Sequence, residues 1–134
     1  MTRTMLKSKI HRARVTCLDL DYQGSISIDK QLIREANLLL YEQVEVLNLN
    51  NGARFNTYII EGPAGSGEIG LNGAAARMAR KGDTIIIVSY CQLDEHEATG
   101  FLPRLVFVDQ SNRITHIKTE LANILDTGER DHAY

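Results

Sequence analysis

The stretch Leu18-Asp19-Leu20-Asp21-Tyr22-Gln23-Gly24-Ser25-Ile26-Ser27-Ile28 holds two strand patterns separated by one dipeptide. Leu18, Leu20 and Tyr22 alternate with acidic residues, and a period of two sets one face of a strand on a core and the other in water. Gly24-Ser25 breaks the alternation as a turn dipeptide, and Ile26 and Ile28 resume it in a second, shorter strand. Upstream, the strand-like pattern reaches back to Lys7. Downstream, Asp29 is placed as a helix N-cap, with Ile28 and Ile33 as a hydrophobic staple and Leu32, Ile33 and Ala36 on one helical face that ends near Asn37.

The same reading continues along the chain. Residues 43–48 alternate again, and Asn50-Asn51-Gly52 offers the positive backbone angles of a hairpin turn before a return strand over residues 53–61. Gly62-Pro63-Ala64-Gly65-Ser66-Gly67 reads as a surface loop. A short strand over residues 69–71 leads to Asn72, which is placed to cap a helical turn through Ala74, Ala75 and Ala76. Thr84-Ile85-Ile86-Ile87-Val88 is an unbroken β-branched run, the mark of a strand buried on both faces. Residues 93–98 allow at most a short helix, and residues 105–108 form the last strand, closed by Asp109-Gln110-Ser111-Asn112. Ile117, Leu121, Ile124 and Leu125 fall at helical spacing, which predicts an amphipathic helix over residues 118–126 and a polar end beyond it. Many short strands with two or three brief helices predict a mainly β fold, a small closed barrel.

Composition narrows the function classes. With 134 residues and 43% apolar content the chain is expected to be one domain with one core. Its 15 basic and 17 acidic side chains, net charge -2, leave no basic stripe for nucleic acid. Residues 1–7 lack the apolar run of a signal peptide, and the longest apolar run is too short to span a bilayer, so no membrane association and a cytoplasmic location are expected. Cys17 and Cys91 belong to no Cys-x-x-Cys pair and are expected as small buried hydrophobes. His96, His116 and His132 show no metal-ligand spacing, so no metal site is expected.

Five blocks occur in order: Leu6-Lys7-Ser8-Lys9-Ile10-His11-Arg12-Ala13, Tyr22-Gln23-Gly24-Ser25, Asn51-Gly52-Ala53-Arg54-Phe55-Asn56-Thr57-Tyr58, Leu71-Asn72-Gly73-Ala74-Ala75-Ala76 and Lys81-Gly82-Asp83. In this combination the chain resembles the aspartate 1-decarboxylase family of small pyruvoyl enzymes over residues 1–115. Residues 116–134 remain a tail outside the resemblance. The resemblance implies a six-stranded double-psi β-barrel with a few short helices, assembled as a homotetramer with active sites between neighbouring subunits. It implies self-cleavage between Gly24 and Ser25 into chains of residues 1–24 and 25–134, and conversion of Ser25 into a covalent pyruvoyl group. That group forms a Schiff base with L-aspartate, which is decarboxylated to β-alanine in pantothenate biosynthesis, with no metal or external cofactor. Some members of the family use an accessory maturation protein, and the sequence leaves open whether this chain needs one.

The chemistry fits the residue types. Enzymes lower barriers by about 8 to 23 kcal/mol, whereas a hydrogen bond to a charged group contributes about 1.5 to 3, so loss of carbon dioxide calls for a covalent electron sink. Two substrate carboxylates call for cations, and Arg54 and Lys9 are assigned to them, Arg54 to the side-chain carboxylate. Gly73, Ala74 and Ala75 offer backbone N–H groups to an anion, and Tyr58 is implied to be the proton donor to the carbanion. Thr57 or Asn72 offers a donor to the oxyanion of self-cleavage, Thr57 is also assigned to substrate, and His11 and Tyr22 are placed as supporting residues. Position 23, commonly acidic in the family, is Gln23 here, and position 47, which can be a large aromatic, is Leu47. A non-catalytic barrel that uses the same site to bind a small anionic ligand or a partner protein, and an enzyme of the same kind acting on another substrate such as glutamate, stay open at this point.

Overall fold

A computed structural model describes residues 1–119. Its central strand is the isoleucine run: β7 (Thr84–Asp94) is buried from Thr84 through Ser89 and lies antiparallel between β4 (Gln43–Asn48) and β1 (Thr2–Arg14). Strands with neighbours on both edges and side chains covered on both faces select β-branched residues throughout, and Ile85, Ile86 and Ile87 are at most 1% exposed. The remaining strands are β2 (Cys17–Asp19), β3 (Ser25–Asp29), β5 (Arg54–Gly62), β6 (Ile69–Asn72), β8 (Arg104–Val108) and β9 (Ile114–Lys118). The helical pieces are α1 (Lys30–Glu35), a 3-10 turn (Gly73–Met78) and α2 (Glu95–Ala98).

The strand order is β2-β6-β3-β5-β4-β7-β1-β8-β9. The pairs β1 with β8, β2 with β6 and β3 with β5 are parallel. One segment of chain draws this order into a barrel. β1 pairs with β7 and β8; past Arg14, the Val15 N–H donates to the Asp83 carbonyl at 2.9 Å, the Thr16 N–H to the Ile69 carbonyl at 2.8 Å, and β2 then pairs along β6. Ile10, Ile26, Ile28, Ile59, Ile69, Leu71, Ile85 and Val106 fill the interior; burial of each such side chain stabilises by about 1.5–3 kcal/mol.

The class is the mainly β fold expected, with nine strands among the described residues where six were expected. One extra strand is β9, because the Asp109–Asn112 turn that reads as an end is a reversal: β9 returns antiparallel along β8. Ile117, assigned by its spacing to a helix, lies in β9, and the helix expected over residues 118–126 falls, beyond residue 119, outside the described residues. A second departure concerns Leu18, Leu20 and Tyr22, which are 38%, 54% and 53% exposed rather than lining a core. Among the described residues β2 has β6 as its one neighbour, the chain turns at Leu20, and no layer covers their face. Cys17 is exposed on that edge strand and Cys91 half-buried on β7, so neither is the buried hydrophobe expected.

The local signals at the other turns hold. Asp29 caps α1, accepting from the Gln31 N–H at 2.8 Å. In the hairpin only Gly52 takes a positive φ, +77°; the Asn50 and Asn51 side chains instead accept N–H groups of Thr84 and Ala53. Among the described residues no helix is long and apolar enough to cross a membrane.

Candidate active site

β3 is buried along its whole length, between β5 and β6. Its register sets Ser25 opposite Asn72, and Ser27 opposite Gly70. Ser25 is 1% exposed and has φ +128°. That angle lies outside the small left-handed region that polar residues such as Asn37 and Asn112 occupy at +57° and +61°. A residue held there carries strain of about 1–3 kcal/mol, which the surrounding structure must impose. Here β3 pairs on both sides immediately after the turn, so the torsion is absorbed at its first residue.

The Asn72 side chain was expected to cap the turn that follows it, and it makes no such bond. Its Nδ2 instead donates to Ser25 Oγ at 2.9 Å and to Ser27 Oγ at 3.3 Å. The antiparallel register brings the amide across the strand pair, where two buried hydroxyls have no other partner among the described residues, and that need outweighs a cap on a short turn. Gly73 has φ +61°, and a Cβ there would lie 2.8 Å from Gly24 N and 2.9 Å from both Gly24 Cα and the Tyr22 carbonyl oxygen. A bare α-carbon is therefore required under the Gly24 backbone. Adjacent residues of one strand end thus hold the Ser25 hydroxyl and the Gly24 backbone.

Beside this pair opens a cavity of about 400 Å³. Gly24, Ser25, Thr57, Tyr58, Ala74 and Ala75 line it, all given a role from the sequence, together with Phe55, Asn56 and Met78, to which no role was assigned. The size is within the usual range for small-molecule sites. Ser27 was also not named. Its signal was available, since a period of two sets Ser27 on the same face of β3 as Ser25.

The other predicted residues lie elsewhere on the chain. Lys9, 4% exposed, sits on β1 between Val88 and Leu105, and burial lowers its pKa from the usual 10.5. His11 packs edge-on to Phe107, with ring centroids 5.2 Å apart, and lines a separate cavity with Arg12, Arg14 and His116. Arg54 opens β5, exposed, its guanidinium 3.7 Å from Glu45 Oε1, and borders another cavity with Leu47 and Ile86. The Tyr22 ring is exposed, while its carbonyl is the one against Gly73. Among the described residues no group of three or more His, Cys, Asp or Glu is placed to hold a metal ion.

The sequence model of the aspartate decarboxylase family matches residues 1–115. The aspartate 1-decarboxylase of Dehalococcoides mccartyi (strain CBDB1) is 60% identical over 119 residues, covering 89% of this chain and 96% of the relative. That of Thermoanaerobacter pseudethanolicus is 58% identical over 113 residues, 84% of this chain and 97% of the relative. That of Caulobacter vibrioides is 54% identical over 114 residues, 85% and 97% of the two chains.

Proposed function

Because the chain belongs to the aspartate decarboxylase family, a double-psi β-barrel family, we propose that it cuts its own backbone between Gly24 and Ser25 and uses the group formed at position 25 in its reaction. The chain is a carboxy-lyase that converts L-aspartate to β-alanine and carbon dioxide in pantothenate biosynthesis. The observation that carries the proposal is the buried serine at φ +128°, hydrogen-bonded through Oγ to Asn72 and open to the cavity. A serine that served only as a turn would need neither the strain nor the burial.

In self-cleavage Ser25 Oγ attacks the Gly24 carbonyl carbon, the C–N bond to Ser25 breaks, and the acyl group moves from nitrogen to oxygen as an ester. Loss of the proton on Cα of residue 25 then expels the Gly24 carboxylate from Cβ, leaving dehydroalanine, whose hydrolysis releases ammonia and leaves a pyruvoyl group. Relief of the strained torsion favours the first step. Asn72 is engaged with the two serine hydroxyls, which leaves Thr57, on the cavity wall, as the donor to the carbonyl oxygen as it becomes an oxyanion.

The residues present fit a covalent carbonyl at position 25, since that position is buried, walled by Thr57, Tyr58, Ala74 and Ala75, and held across the sheet by Asn72. Such a carbonyl supplies an electron sink for decarboxylation, in the absence of a metal or external cofactor. Tyr58 delivers the proton to the substrate α-carbon. Arg54 grips the side-chain carboxylate in a bidentate pair, Lys9 holds the other as a point charge, and the backbone of Gly73, Ala74 and Ala75 borders the bound anion.

Arg54 borders a cavity other than the one beside Ser25, and Lys9 is buried on β1 and is not among the residues that line the Ser25 cavity, which supports a homotetramer whose neighbouring subunits complete one another's sites. The exposed Leu18, Leu20, Tyr22, Tyr58 and Tyr90 give such an assembly apolar surface to cover. A cytoplasmic location belongs to the same reading.

The test is intact mass with product analysis. Purified precursor kept in buffer is expected to separate into chains of residues 1–24 and 25–134, the larger lighter by one ammonia than a chain beginning with serine, and to release β-alanine from aspartate. A folded precursor that stays whole and releases none after prolonged incubation overturns the proposal. Cutting only after addition of cell extract assigns the step to an accessory maturation protein.

A further inference from the structure

Ser25 and Ser27 lie two residues apart on one face of β3, and one nitrogen on β6 reaches both hydroxyls. A primary amide carries two N–H donors on its nitrogen and a pure acceptor on its oxygen. Turned end for end, Asn72 would set an acceptor against Ser25, which would hold the hydroxyl proton in place. With the nitrogen on this side, an N–H faces Ser25 Oγ and stabilises the negative charge that grows there as the proton leaves. One acceptor alone fixes the amide weakly. The second N–H has its acceptor in Ser27 Oγ, which is 8% exposed, so bulk water competes little for that role. Ile26 and Ile28, both 0% exposed, flank Ser27 along the strand. A polar residue amid this apolar run therefore calls for a purpose beyond packing.

We propose that Ser27 is a positioning residue for self-cleavage: by accepting the second N–H of Asn72 it holds the amide nitrogen toward Ser25 and keeps the attacking hydroxyl aligned on the Gly24 carbonyl. The inference rests on the self-cleavage reading and adds to it the residue that orients Asn72. It concerns the first step, in which the Ser25 hydroxyl adds to the carbonyl and the amide becomes an ester. It leaves the later elimination to other groups.

The experiment follows cleavage of full-length precursors by intact mass, with melting temperatures recorded on the same samples. Removing one hydrogen bond of ordinary strength in Ser27→Ala is expected to slow cutting roughly tenfold. Ser27→Thr, which keeps an acceptor hydroxyl, is expected to cut within about threefold of the parent. Should Ser27→Ala melt too low to assay, Ser27→Val against Ser27→Thr takes its place, a pair of like shape differing in the hydroxyl.

Hydroxylamine separates the two steps. It intercepts the ester, releasing residues 1–24 as a C-terminal hydroxamate and residues 25–134 beginning with serine. If Ser27 acts on the attack, hydroxylamine leaves Ser27→Ala slow. Rapid cutting by hydroxylamine would show that ester accumulates, place the defect after the attack, and overturn the inference. A parent that cuts while folded Ser27→Ala cuts equally fast overturns it too, with self-cleavage intact. A folded parent that never cuts removes self-cleavage and this role together.

Discussion

The two ends of β3 are four residues apart, both buried and both polar, yet they are built for opposite purposes. At one end Asp29 is 4% exposed, and its carboxylate accepts N–H groups of Gln31, Gly65 and Gly67 at 2.8, 3.0 and 2.9 Å. It caps α1 and ties down the loop that follows β5. At the other end the Ser25 hydroxyl has, among the described residues, the Asn72 side chain as its one partner, together with a torsion that serine disfavours and a cavity beside it. A buried polar group with its hydrogen bonds met makes a scaffold, whereas one held under strain with an open approach is positioned to react. Glycines repeat the contrast. A Cβ at Gly67 would lie 2.6 Å from the Ser111 carbonyl oxygen, while one at Gly73 would press on Gly24.

Ser25→Ala tests the reactive end with the largest effect. Without the hydroxyl, cleavage is expected to vanish and β-alanine formation to fall by at least about 10⁴-fold, with the melting temperature of the uncut chain little changed. Retained β-alanine would break the contrast between the ends. Asp29→Ala is expected to do the reverse. It leaves three N–H groups, the buried one of Gly67 among them, without their acceptor and should cost about 1–3 kcal/mol in urea unfolding, while the folded fraction still cuts itself.

Gly67→Ala, with its positive φ and blocked Cβ, should cost about 1–3 kcal/mol and leave the cleavage rate alone, whereas Gly73→Ala should stall cleavage. Equal cleavage rates in these two would dissolve the distinction.

Charged groups on β1 sharpen it further. Burial lowers the pKa of Lys9, so the cation assigned to a substrate carboxylate is lost earlier on the alkaline side than for an ordinary lysine. The KM for aspartate is expected to climb below the usual lysine pKa of 10.5, and Lys9→Arg to move that limb upward. Lys7 instead serves the scaffold, 2.7 Å from Glu42 Oε2 and donating to the Asn37 carbonyl. Burial raises the Glu42 pKa, but hydrogen bonds from Lys7, Ser89 and the Leu39 N–H outweigh it and hold the carboxyl below its usual 4.5. A carboxylate lowered on folding adds stability above its unfolded pKa and loses it as pH falls through the folded value. Glu42→Gln should therefore flatten the acid-side loss of stability below pH 4.5, by about 1 kcal/mol for this half-buried pair, read from urea midpoints.

Features that depend on neighbours in sequence were legible. Asp29 as a cap, the Asn-Asn-Gly hairpin and the buried isoleucine strand each follow from backbone chemistry within a few residues. Features that depend on which strand lies beside which were not. The alternation at Leu18, Leu20 and Tyr22 is real, but a pattern records which side chains are apolar and says nothing of whether a layer covers them. β9 was missed because a turn and a chain end look alike until β8 is seen to accept a partner. In the site, the blocks around Gly24, Ser25, Thr57, Tyr58, Ala74 and Ala75 converge on one cavity. Asn72 was recognised as important and given the wrong bond, since its real partners come from the register of β3 on β6.

The sequence by itself determined the strand-rich class, the cap, the hairpin and the reacting dipeptide with its family, because these reside in residue types and short spacings. Only the tertiary structure decided that Ser25 is strained, that Asn72 faces two serines, and that Gly73 lies under Gly24. Those facts arise where β3 and β6 meet, and a pairing between strands 47 residues apart is set by the closure of the whole barrel.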